Sequence, residues 1–291
     1  MSTVAEHGRC CGDNDGMDVR IGISGWTYAP WRGTFYPPGL PHRRELGYVA
    51  ERLNSVEING SFYSLQRRSS FEAWAAAVPP DFVFSVKGGR FITHMKKLND
   101  IAVPLANFYA SGVLALGARL GPFLWQLPPN LGFDPARMAA FFDSLPRTAG
   151  AAAAIAAGHD ARVPEDHALT TAPDPALRLR HTVEVRHETF RDPAFYDLLR
   201  EHDVGLVVAD NPGTWPVIEE VTTDFMYVRL HGHEELYASG YSEEALDVWA
   251  ARVRGWVEQG QDVFVYCDND IKVRAPYDAM GLLSRVAPRP S

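Results

Sequence analysis

Apolar residues along this chain follow two rhythms. Short aliphatic or alternating runs occur at "IGISGW" 21–26, "SVEINGSFY" 55–63, "DFVFSVKG" 81–88, "GPFLWQLP" 121–128, "HTVEVRH" 181–187, "VGLVVAD" 204–210, "FMYVRLHG" 225–232 and "DVFVYCDND" 262–270. These read as strands, whose successive side chains point to opposite faces. Between them, segments such as 43–53, 68–77, 103–118, 134–145, 192–202 and 242–259 carry helical spacing. Regular strand–helix alternation predicts a parallel sheet covered by helices. Eight such units predict a single-domain α/β fold, a TIM (β/α)8-type barrel with right-handed connections and its mouth at the strands' carboxyl ends. The barrel is expected over 19–286, between a disordered leader at 1–18 and a short tail at 287–291. The connection between strands four and five is enlarged by 149–180. Its alanine-rich first part favours helix and its proline-bearing second part irregular chain, as a lid or as a decoration.

Strand parity turns this pattern into a candidate site. In "HTVEVRH", Val183 and Val185 fall on one face and Glu184 and Arg186 on the other. If the valines meet the helices, the charges point into the barrel. The same rule near the other strand ends places Glu57, Asn59, Lys87, Gln126, Asp210, Arg229, His231 and Asp268 inside. An ordinary barrel core is layered with branched aliphatic residues, and a lone buried charge is untenable without a partner. Alternating signs around the ring supply partners. A purely structural ion-pair network is the plain reading. Because apolar packing would be no less stable, so many charges at the catalytic end favour a site.

Composition narrows the classes. Of 291 residues, 46% are hydrophobic, ample for a packed core. A net charge of −8 argues against a nucleic-acid partner. Three cysteines, with Cys10 and Cys11 adjacent in the leader, make no disulfide framework, and no apolar run is long enough for a membrane span. A soluble, cytoplasmic protein is expected; nothing in the sequence sets its oligomeric state.

Each motif admits two chemistries. In "GWTYAPWRGTFYPP" 25–38, Trp26 and Tyr28 are candidates to touch ligand, while Trp31 and Phe35 suit a hydrophobic plug. "KGGRFITHMKK" 87–97 offers Lys87 and Arg90 to an anion, with glycines that let backbone N–H groups approach an oxyanion. His231 and Asp268 form a candidate acid–base dyad, and Asn269 is a candidate to position a hydroxyl. The leading expectation is an enzyme acting by acid–base chemistry on a small polar, anionic metabolite, phosphorylated or carboxylated. Its catalytic candidates are Glu57, His231, Asp268, Glu184 and Asp210. Its substrate-binding candidates are Trp26, Tyr28, Asn59, Lys87, Arg90, Gln126, Arg186, Arg229 and Asn269. No cofactor is predicted. A divalent metal on Glu57, Glu184, Asp210, His231 and Asp268, serving a hydrolase or isomerase, is the alternative, although the interleaved cations compete for those carboxylates. A non-catalytic binding or scaffold protein is the third reading.

Taken together, "GISGWTYAPWRGTFYP", "VEINGSFY", "FSVKGGRFITH", "LGPFLWQLPPN", "VEVRHETF", "YVRLHG" and "VYCDND" resemble the YecE-like family, domain of unknown function 72, from about Ile21 to Leu283. The resemblance implies a TIM barrel and lends no reaction. Two departures stand out: Gly60 replaces a usual Ser or Thr, and "YCDND" replaces a Phe-Asn-Asn-like ending. The family pattern therefore does not itself assign acid–base work to Asp268.

Overall fold

The computed structural model describes residues 18–286. Eight parallel strands, β1 (Val19–Ser24), β2 (Ser55–Ile58), β3 (Val83–Lys87), β4 (Leu120–Gln126), β5 (His181–Glu184), β6 (Val204–Asp210), β7 (Phe225–Leu230) and β8 (Asp262–Cys267), close in sequence order. β8 returns to β1 with Gly22 beside Tyr266, completing the TIM-type barrel. Helices lie between the strands. Asp134 and Asp192 each cap a helix that starts with proline, accepting from the N–H of Arg137 and Ala194. The acceptor satisfies an orphan donor and the proline loses none, so both boundaries are local consequences of sequence. Among the described residues no helix is long and apolar enough to cross a membrane. The expected leader, with Cys10 and Cys11, and the tail fall almost wholly outside the described residues.

Two shells of apolar packing surround the strands. The outer one sets Val183, Val185, Val208 and Val228 against the helices. The inner one contains Leu124, Val207, Ala209, Phe225, Tyr227, Phe264 and Tyr266. Polar groups penetrate deep into this inner layer: Ser55 meets the Tyr266 hydroxyl and Ser85 the Tyr227 hydroxyl, each at 2.7 Å. The aliphatic layers usual in such barrels are thus partly replaced by a hydrogen-bonded serine–tyrosine layer beneath the charges.

One expected element changes, and two connections take a definite form. The strand expected over 55–63 ends at Ile58, and Gly60–Tyr63 turns into a short helix instead. Phe91–Met95, after β3, is a π-helical turn, an uncommon feature that recurs at functional sites. The 149–180 insertion forms a helix, Ala149–Ala156, followed by irregular chain that is pinned by Leu169 N–H to the Ala110 carbonyl. Its Arg178 pairs with Asp203 and Asp224, just before β6 and β7, at the end of the barrel opposite the mouth. None of its residues lines the mouth cavity.

Candidate functional site

Arg229, on β7, is fully buried at the centre of the barrel's upper layer. Its Nη2 donates to Glu57 Oε1 and to Asp268 Oδ2, each at 2.9 Å, and its Nη1 to Glu184 Oε2 at 2.7 Å. Its Nε adds a bond to Glu57 Oε2 at 3.1 Å, and that oxygen also accepts from Tyr227 Oη at 2.7 Å. Ser24 donates to Glu57 and accepts from Asn59 Nδ2. A single guanidinium therefore ties together carboxylates from β2, β5 and the end of β8. Such charge-assisted bonds are short and geometrically demanding, and they make a buried cluster tolerable.

Glu57, Glu184, Arg229 and His231 do point inward, but all four are fully buried and none lines the cavity above them. His231 Nδ1 lies 3.0 Å from Asp268 Oδ2 without hydrogen-bond alignment, and its Nε2 lies 3.8 Å from Glu184 Oε1. Burial holds the His231 pKa down, opposed by Asp268. Burial raises the Glu184 pKa, but Arg186 and Arg229 more than offset it and keep the carboxyl well below its usual range. Asp268 is likewise held down, by Arg229 and His231, against the effect of burial.

Three further candidates sit elsewhere. Asp210 points away from the barrel axis, because register sets Ala209, not Asp210, beside Arg229. Its carboxylate accepts from Tyr241 Oη at 2.7 Å. Asn269 is buried and donates through Nδ2 to the Ser239 carbonyl and to Asp278, which secures loops, while its Oδ1 has no hydrogen-bond partner among the described residues. Trp26 turns outward against Trp74, with ring centroids 5.3 Å apart and planes at 88°, and lines a neighbouring cleft.

Above the ionic layer opens a cavity of about 460 Å³ lined by Tyr28, Asn59, Lys87, Arg90, Gln126, Arg186 and Asp268 among the expected residues. Lys87, at the end of β3, is only 7% exposed, yet its Nζ has no carboxylate or hydrogen-bond partner among the described residues; it lies 4.4 Å above the Phe62 ring. Burial, reinforced by the Arg229 cation, lowers its pKa from 10.5 to about 8. Arg186 uses Nε and Nη2 on Glu184, each at 2.8 Å, and stacks 4.0 Å over Trp215. Its Nη1 is left without a protein partner among the described residues. The Gln126 amide is similarly unengaged, and Arg90 is exposed at the rim. Of the two glycines after Lys87, Gly88 spends its N–H on the Leu124 carbonyl at 2.8 Å. Gly88 serves a different need, since a Cβ there would lie 2.3 Å from the Trp125 ring.

Sequence reasoning left out His94, Tyr237 and Asp270, which also line this cavity. Burial and the facing Lys87, Arg186 and Arg90 lower His94 to about 4, so its ring is neutral. Burial, with Asp268 nearby, raises Asp270 from 3.8 to about 6. Tyr237, held at a φ of 62° that disfavours side chains, accepts from Arg186 at 3.3 Å. All three come from segments beyond the strands, where no periodicity marks a facing direction; the polar run after β8 was the one legible signal.

Among the described residues no three His, Cys, Asp or Glu side chains gather as a metal-binding group. Glu57, Glu184 and Asp268 already accept from Arg229, so a divalent ion would have to displace a guanidinium from its full set of partners.

A family model described as a protein of unknown function, DUF72, matches residues 20–291. Among solved structures, a DUF72 family protein from Thermotoga maritima MSB8 is similar at 25% identity, with a TM-score of 0.74, covering 93% of this chain and 100% of the other. A DUF72 family protein from Enterococcus faecalis V583 is similar at 16% identity and a TM-score of 0.70, covering 94% and 97%. A search of curated proteins found no match.

Proposed function

Because the chain belongs to the DUF72 family, whose description carries no reaction, function has to be read from the site, and we propose an enzyme that acts on a small anionic metabolite at the barrel mouth. Lys87, Arg186 Nη1 and Arg90 supply the positive face for a phosphate or carboxylate. Gln126 and Asn59 orient neighbouring hydroxyls. Lys87 near 8 and Asp270 near 6 are drawn towards neutrality from opposite sides, which suits each to exchange protons with a bound molecule. Proton transfer is thereby assigned to Lys87 and Asp270 in place of the sealed Glu57 and His231. Arg229 and its carboxylates act as the rigid floor that fixes Arg186 and Asp268.

One observation carries this reading. The deeper cation, Arg229, is fully satisfied by carboxylates, while Lys87 is buried with none. A fold selected for stability alone would have paired it or replaced it with an apolar residue. Isothermal titration calorimetry with inorganic phosphate and with a simple dicarboxylate tests the proposal. Binding of at least one should weaken on the order of tenfold or more in Lys87→Met, the worth of one charge-assisted contact. Equal affinity in the variant and the native chain would contradict it.

A further inference from the structure

Beside the mouth lies a second cavity, of about 600 Å³, which the chemistry above leaves unused. Its walls include Trp26, Leu46, Ala73, Trp74 and Ala77, from the end of β1 and two neighbouring helices. Tyr28, Asn59 and Tyr63 line both this cleft and the cationic cavity, so the two spaces share a wall. Tyr63 stands 70% exposed at that boundary, its ring edge-on to Phe62 and otherwise open to solvent. Asn59 donates through Nδ2 to Ser24, but its Oδ1 is buried and has no hydrogen-bond partner. A buried acceptor left unmet is costly and asks for a donor from elsewhere.

We propose that the cleft is a second subsite for the same ligand, and that the ligand class is an anion carrying a flat apolar or aromatic group, joined through a segment with an O–H or N–H donor. The anionic end lies on Lys87 and Arg186, the donor meets Asn59 Oδ1 at the junction, and the flat group rests among Trp26, Trp74 and Tyr63. Aromatic walls favour such a group because ring faces and edges bury large apolar area with preferred stacking geometry. The shared Tyr28, Asn59 and Tyr63 set the two cavities side by side, which favours one small molecule reaching into both over a separate partner. The inference rests on the anion-binding reading of the mouth.

The test compares inorganic phosphate with phenyl phosphate and 2-phenylethyl phosphate by calorimetry on the full chain. One of the aryl esters should bind on the order of tenfold tighter than inorganic phosphate. Ala73→Phe, at an exposed helical position facing the cleft, fills it and should erase that advantage while leaving inorganic phosphate affinity unchanged. Ala77→Phe is a second filling variant, should the first disturb the helix, and thermal melting checks the fold of both. Inorganic phosphate binding without an aryl advantage, or an advantage that survives both fillings, overturns the cleft and spares the mouth. Failure of all three probes to bind the native chain overturns the mouth reading and the cleft with it.

Discussion

At the scale of single residues, the energetics turn on Lys87. Holding an ammonium near 8 when its ordinary value is 10.5 costs the fold on the order of 3 kcal/mol. The sign follows from linkage: a lysine lowered in the folded state is most destabilising where both states are protonated, below about 8, and the penalty fades as pH rises towards 10.5. Lys87→Met should therefore raise the melting temperature by roughly 2–8 °C at neutral pH. The gain should shrink between about pH 8 and 10.5, as calorimetric scans across that window would reveal. A neutral-pH loss of stability would mean that the ammonium is paired after all. Arg229 behaves in the opposite way. Replacing it with Met strands Glu57 and Asp268 without this cation and leaves Glu184 to Arg186 alone, and chemical denaturation should register a loss of about 3–5 kcal/mol. Two buried cations on one barrel thus differ in the sign of their effect on stability.

Individual strands and loops show which parts of this site can be read from sequence. In β5 the alternation of Val183 and Val185 with Glu184 and Arg186 is unambiguous, and the structure keeps it. In β6, by contrast, "VGLVVAD" is apolar on both faces, so nothing local says which way Asp210 turns. Register with β7 decides it, and that depends on a partner strand far along the chain. Burial depth is also illegible. Parity places Glu57 and Arg229 inside but cannot tell the floor of a cavity from the layer beneath it. The segments after β7 and β8 escape periodicity altogether, and with them Tyr237 and Asp270. Asp210, at the end of β6, holds the loop after β7 through Tyr241. Asp210→Ala should cost about 1–2 kcal/mol in stability by urea unfolding. Phosphate affinity should be unchanged within error, whereas a lost affinity would return Asp210 to the site.

Over the whole molecule, an acidic protein of net charge −8 presents a locally cationic hollow at one end of its barrel. The far end carries structural pairs such as Arg178 with Asp203 and Asp224. The barrel, closed by eight strands, was legible because every unit repeats one rhythm; which charges touch solvent was not, because it depends on how eight strand ends stack in three dimensions. The central claim is that Lys87 is an unpaired ammonium open to an anion. With Lys96, Lys97 and Lys272 as the only other lysines, and Lys87→Met for assignment, an NMR titration of the lysine side-chain signals isolates it. The expected result is a midpoint near 8 that moves upward when phosphate is added. A midpoint near 10.5, unmoved by phosphate, would contradict it.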